Sequence, residues 1–194
     1  MNELIQLIKI IDSDMVSQLN SYIDTLTFLP CPIFDNGSEI MSSGRTSNGL
    51  VLKEDVDIVK KFHQAINEGL SEYKKRIENI HGNFSFYPVP GAEKTNSWRE
   101  SIQILQYEKS QEYKFHHDTA NNPEMKEYHR KISVIVYLSQ DFTGGATSFT
   151  FSKIKPPPGY AIIFPSNWCY PHAGEPVIDG VKRVAVTWYY SEQV

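Results

Sequence analysis

Between residues 53 and 80 the apolar positions are Val56, Val59, Phe62, Ile66, Leu70, Tyr73 and Ile77. Steps of three and four make one stripe of an amphipathic helix. Glu54, Asp55 and Asp57 stand at its start and Lys74, Lys75 and Arg76 toward its end, the order the helix dipole favours. Gly69 weakens the helix without breaking it. Upstream, Met15, Val16, Leu19, Tyr22 and Ile23 also recur at helical spacing, with Ser13 as the expected N-cap. Residues 4–11 are apolar on too many sides to choose between a helix and a buried strand. After Gly82 the pattern changes. A polar, Pro- and Gly-bearing loop covers 88–98, and short β-type runs follow at 101–107, 132–138, 146–151, 160–164 and 183–190. Gly144-Gly145 and the stretch 156–159 separate them as turns. Short strands with no helix between them argue for an antiparallel sandwich or barrel.

Composition narrows the class. A chain of 194 residues is one domain by size, 1–194, with 1–82 as largely helical support and 83–194 as the β core. Aromatic residues (3 Trp, 11 Tyr and 10 Phe) suit a β-rich core or a lined pocket. A formal charge of −4 gives no broad positive field, so no nucleic-acid partner is expected. Two cysteines, Cys31 and Cys169, are no disulfide framework, and a reducing compartment is the simpler reading. The N-terminus lacks a signal-peptide pattern, and no apolar run approaches the ~20 residues of a membrane span. The expectation is a cytoplasmic protein with no membrane partner.

Three places offer chemistry. In an extended segment His116 and Asp118 point to one side while His117 faces away. One imidazole and one carboxylate are two-thirds of the set that binds non-haem Fe(II), although an inert polar turn would look the same. His172 lies in a Pro- and Gly-bearing turn, 54 residues past Asp118, and a lone histidine in such a setting is more often structural than a ligand. In the terminal run, alternation puts Lys182, Val184, Val186 and Trp188 on one face. A lysine on an apolar face either meets an anion or reaches water at the strand's end.

The joint pattern resembles a known family. Tyr107-x8-His116-x-Asp118, then Tyr137-Leu138, Gly144-Gly145-x-Thr147-x-Phe149, and His172-x3-Pro176-Val177-x2-Gly180-x-Lys182 are similar to the prolyl 4-hydroxylase-type iron(II)/2-oxoglutarate-dependent dioxygenases. Arg45-Thr46-Ser47 and the helix after it also resemble that family's N-terminal part. The resemblance implies a mainly β protein with N-terminal helices and a double-stranded β-helix (jelly-roll, cupin-like) core. It implies His116, Asp118 and His172 as metal ligands, and Lys182 as partner of the distal carboxylate of 2-oxoglutarate. Tyr107, Tyr137 and Thr147 would line the cosubstrate pocket with Trp188 as an apolar wall, and Arg130 would position a peptide substrate. Fe(II), 2-oxoglutarate, O2 and ascorbate are the implied cofactors. One departure stands out: the family often has a glycine soon after the first tyrosine, and here the stretch 108–111 has none. The loops 88–98 and 119–129 are candidates to border or close the site.

The leading reading is therefore hydroxylation of a prolyl residue in a peptide or protein, with 2-oxoglutarate converted to succinate. A free amino acid or other small molecule is the second substrate class, and a catalytically silent jelly-roll binding module is a third reading. A zinc hydrolase would use the same two histidines and aspartate, but would leave Lys182 without an anionic partner.

Overall fold

The computed structural model describes residues 2–35, 38–82, 99–119 and 128–192. Helix α1 (Ser13–Ile23) is capped by Asp12 rather than by the expected Ser13. Asp12 is extended, and its carboxylate accepts a hydrogen bond from the Met15 amide at 2.8 Å. A charged oxygen one residue earlier satisfies the orphan N–H and meets the positive end of the helix dipole. Helix α2 (Asp57–His81) buries Val59, Phe62, Ile66, Leu70, Tyr73 and Ile77, the stripe read from the sequence. Glu54 and Asp55 lie ahead of its first turn, and Gly82 ends it at φ 75°. Gly69 serves packing, since a Cβ there would lie 2.3 Å from Ile10 Cδ1.

In chain order the described strands are β1 (Gln6–Lys9), β2 (Leu29–Pro30), β3 (Ile33–Asp35), β4 (Ser38–Ile40) and β5 (Asn48–Val51). Then come β6 (Gln103–Tyr107), β7 (Tyr113–His116), β8 (Tyr128–Tyr137), β9 (Phe142–Gly144) and β10 (Thr147–Phe149). The last are β11 (Ser152–Ile154), β12 (Tyr160–Pro165), β13 (His172–Gly174), β14 (Val177–Gly180) and β15 (Lys182–Glu192). The main sheet runs β1-β12-β8-β15-β6-β5-β2 and a second sheet runs β11-β10-β13-β7, with β14-β9 and β3-β4 as separate pairs. The named strands all pair antiparallel. This is a double-stranded β-helix with helices on one side. The segment 1–82 does more than the expected helical support, because β1, β2 and β5 join the main sheet. The undecided stretch 4–11 contains the end of a short 3-10 turn (Asn2–Leu4) and then β1.

Two cores share the main sheet. Ile132, Val134 and Val136 of β8, with Ala185 and Tyr189 of β15, pack with the two helices. Tyr137, Val184, Val186 and Trp188 belong to the other core, with Phe149, Ile162 and Phe164 between the sheets. Strands buried on both faces read as nearly continuous apolar runs, which is why they stood out in the sequence. The loop 88–98 and most of 119–129 lie outside the described residues.

Candidate active site

The inter-sheet space ends in a donor cluster. His116 closes β7, Asp118 follows two residues later, and His172 opens β13 directly opposite His116 in the strand register. The Asp118 amide donates to the Ser166 carbonyl at 3.1 Å, which ties this end of the second sheet to the end of β12. His116 Nε2 lies 3.4 Å from Asp118 Oδ1, and His172 Nε2 lies 3.6 Å from Asp118 Oδ2. One ligand atom from each residue falls within 4.8 Å of the others. The opposite ring nitrogens are engaged: Nδ1 of His116 faces the Lys114 carbonyl at 2.8 Å, and Nδ1 of His172 faces that of Tyr170 at 3.2 Å. A carbonyl accepts only, so Nδ1 carries the proton and Nε2 keeps its lone pair for a metal. His117 is exposed and takes no part.

The charge states suit the same role. Burial, opposed by Asp118, pushes the His172 pKa down. Burial alone would raise that of Asp118, but His172, His116 and the Ser133 hydroxyl together hold the carboxyl well below the usual range. Ser133 Oγ donates to Asp118 Oδ2 at 2.6 Å and lies 2.8 Å from Ser166 Oγ. A neutral imidazole and an ionised carboxylate are the ligating forms. Two nitrogens and one oxygen converging from one side are the donor set of a non-haem Fe(II) site.

Lys182 opens β15 opposite Tyr107 and is only 3% exposed. Its Nζ sits 5.1 Å from the ring centroid of Tyr107 and 5.2 Å from that of Tyr137. The Tyr137 hydroxyl and Thr147 Oγ1 are hydrogen-bonded at 2.8 Å. Burial brings the ammonium down to about 7, with Glu175 pulling it up and Lys155 pushing it down. Among the described residues no carboxylate comes within salt-bridge distance of Lys182. A buried cation without a counterion is costly, so the expected anion-binding role fits what surrounds it. Trp188 is buried along the same strand face, as its spacing predicts.

Arg130 lies beside the metal cluster, its guanidinium 3.7 Å over the Trp188 ring. Both Nε and Nη2 donate to the Glu100 carboxylate, Nη2 at 2.7 Å, and the Tyr190 hydroxyl donates to that carboxylate as well. Glu100, Tyr190 and Ser133 were not singled out in the sequence. Ser133 had a signal: it shares the β8 face of Tyr137, as a polar residue within an apolar run. Glu100 had none, being an acidic residue just ahead of a strand. Tyr113 also escaped notice; it stacks on His116 with centroids 3.6 Å apart, and Arg45 lies 5.1 Å from its ring centroid.

Comparison with known proteins agrees with this geometry. Residues 102–191 match the 2OG-Fe(II) oxygenase superfamily. A putative prolyl 4-hydroxylase of Acanthamoeba polyphaga mimivirus is 34% identical over 107 residues, 46% of this chain and 44% of the relative. The chain spans about half the length of the curated relatives it matches. A viral collagen prolyl hydroxylase from Paramecium Bursaria Chlorella virus-1, solved with 2OG, superposes with a TM-score of 0.67 at 20% identity, covering 97% of this chain and 96% of that one. A prolyl hydroxylase from Trichoplax adhaerens, solved with a hypoxia inducible factor oxygen degradation domain peptide fragment, gives 0.69 at 16% identity, covering 97% and 84%. These superpositions establish the fold. Residues 102–191 are thus similar to the 2OG-Fe(II) oxygenase superfamily, and the curated relatives that the chain resembles include prolyl 4-hydroxylases.

Proposed function

We propose that this chain is an Fe(II)- and 2-oxoglutarate-dependent hydroxylase of prolyl residues in a peptide or protein, forming succinate as coproduct. The observation that carries the reading is a His116–Asp118–His172 donor cluster at one end of the inter-sheet space, together with a buried ammonium, Lys182, that has no carboxylate within salt-bridge distance among the described residues. His116 and His172 would hold the metal through Nε2 and Asp118 through a carboxylate oxygen. When bound, iron and 2-oxoglutarate supply the oxidising power: one atom of dioxygen ends in succinate, with release of carbon dioxide, and the other in the substrate hydroxyl.

The protein's own work is position and exclusion of water. Lys182 would take the distal carboxylate as a point charge, and the hydroxyls of Tyr107, Tyr137 and Thr147 would supply directional hydrogen bonds. Ser133 holds Asp118 in its ligating orientation. Phe149 and Phe164, edge to face at 5.0 Å, keep the back of His172 dry. Arg130, fixed over Trp188 by Glu100, offers a substrate chain a rigid cationic and aromatic corner beside the metal. The similarity to named prolyl hydroxylases supports a proline-containing peptide as substrate. Ascorbate is assigned as the reductant that keeps the metal ferrous. Two unpaired thiols, Cys31 and Cys169, support a cytoplasmic setting.

The test is coupled turnover. Anaerobically purified protein receives Fe(II), 2-oxoglutarate and oxygen, with and without proline-containing peptides. Succinate formation coupled to the gain of one oxygen on a prolyl residue is expected, and Asp118→Ala should abolish it with the circular dichroism spectrum unchanged. No succinate with any peptide, and no charge-transfer band on anaerobic addition of 2-oxoglutarate to the Fe(II) protein, would overturn the reading.

A further inference from the structure

Gly174 ends β13, two residues past His172 and on the same strand face. The register with β10 is regular from His172↔Phe149 through Gly174↔Thr147, and on its other side Gly174 pairs with Tyr113 of β7. It is the bare position in a row whose neighbours, Thr147 and Tyr113, both carry side chains. A Cβ built on Gly174 would meet Lys182 Nζ at 3.7 Å and Tyr113 Cβ and N at 3.8 Å. These are ordinary contacts, and the residue does not adopt the left-handed conformation that Gly144 and Gly180 do. Neither backbone conformation nor crowding requires a glycine here, and glycine costs a strand conformational freedom. What its missing side chain leaves open is the space beside the ammonium, as expected where a ligand approaches the backbone closely.

We propose that Gly174 is a specificity-determining residue of the cosubstrate site. By keeping the flank of Lys182 clear, it admits a 2-oxo acid bearing a second carboxylate and lets that carboxylate reach the ammonium. The inference rests on the 2-oxoglutarate reading above. A methyl at position 174 would touch Nζ, and a branched side chain would fill the space between Lys182 and Tyr113.

The test is equilibrium binding by calorimetry, without oxygen, on Mn(II)-loaded protein. 2-Oxoglutarate is compared with pyruvate, which has the 2-oxo acid head but no distal carboxylate. Gly174→Val should weaken 2-oxoglutarate by about tenfold or more, as expected when a charge-assisted contact is lost, and leave pyruvate and Mn(II) affinities unchanged. Gly174→Ala, which adds only ordinary contacts, should weaken it by about threefold, and it decides the matter if the valine variant does not fold. Wild-type affinity for 2-oxoglutarate in the folded variants, or equal losses for both acids, would overturn the assignment. Lys182→Met separates the two levels. If it binds 2-oxoglutarate like wild type, the cosubstrate reading fails and this inference with it; if it weakens binding while the Gly174 variants do not, only the role of Gly174 fails.

Discussion

Two side chains show how much chemistry a single residue controls here. Ser133 makes no direct claim on a metal, yet its hydroxyl fixes Asp118 Oδ2 at 2.6 Å. Ser133→Ala should leave the fold intact and lower metal affinity by about 10–100-fold, the usual effect of losing such a supporting partner, measured by competition with a chelator. Lys182 gives a pH profile. Its folded-state pKa is lowered by burial to about 7 from 10.5. Below about 7 both folded and unfolded chains carry the charge, and its burial opposes folding in full. Between about 7 and 10.5 the unfolded chain binds the proton and the folded chain does not, so the free protein gains stability as pH rises through that window. Cosubstrate affinity runs the other way, because a dicarboxylate needs the ammonium. The dissociation constant for 2-oxoglutarate should rise as pH climbs above about 7, and a flat profile from pH 6 to 9 would show that Lys182 is not its anchor. The pairing of His116 with Asp118 and the face that Lys182 shares with Val184 were legible because alternation along a strand is a local fact, whereas His172 joined them only through the family resemblance. Glu100, which clamps Arg130 from 30 positions away, was not legible: only the fold brings those charges together.

At the scale of the element, the turn from β6 to β7 explains the glycine missing from the family pattern. Ser110 takes the left-handed conformation, φ 69°, as the only non-glycine to do so among the described residues. Its amide donates to the Val177 carbonyl at 2.7 Å, and the Gln111 side chain accepts from the Glu108 amide at 2.8 Å. These bonds hold a conformation that costs an L-residue about 1–2 kcal/mol. Ser110→Gly should stabilise the protein by about 0.5–1 kcal/mol, after allowing for the extra freedom glycine gives the unfolded chain. A melting point raised by about 1–4 °C checks it, and a lower one would mean that the serine side chain contributes more than its backbone costs. The long elements were readable from period alone. The short strands β7, β9, β13 and β14 were not, since three or four residues establish no period and their pairing is set by register and bulges. β13, which carries His172, had looked like part of a turn.

For the whole molecule the division into two cores matters most. The core between the helices and the main sheet is built from α1, α2, β1, β6, β8, β12 and β15, and none of the proposed ligands belongs to it. His116, Asp118, His172 and Lys182 instead border the inter-sheet core, against Phe149, Phe164 and the tyrosine pair. Most apolar burial is therefore independent of the metal, and the site is a preformed rim rather than a nucleus of folding. The metal-free protein should stay folded and unfold cooperatively, unlike small domains in which metal binding supplies the folding free energy. Ligands that bind only the folded form add RT ln(1 + [L]/Kd), about 2.7 kcal/mol at a hundred times Kd. For a chain of this size that corresponds to about 5–10 °C in melting temperature. Calorimetric scans of chelated protein, protein with Mn(II), and protein with Mn(II) and 2-oxoglutarate should therefore give three separate transitions in rising order. The third should rise above the second in wild type and by much less in Lys182→Met, because the lysine supplies the charge that holds the dicarboxylate to the main sheet. If chelation abolished the transition, the scaffold would depend on the metal and the division of labour between the two cores would be wrong.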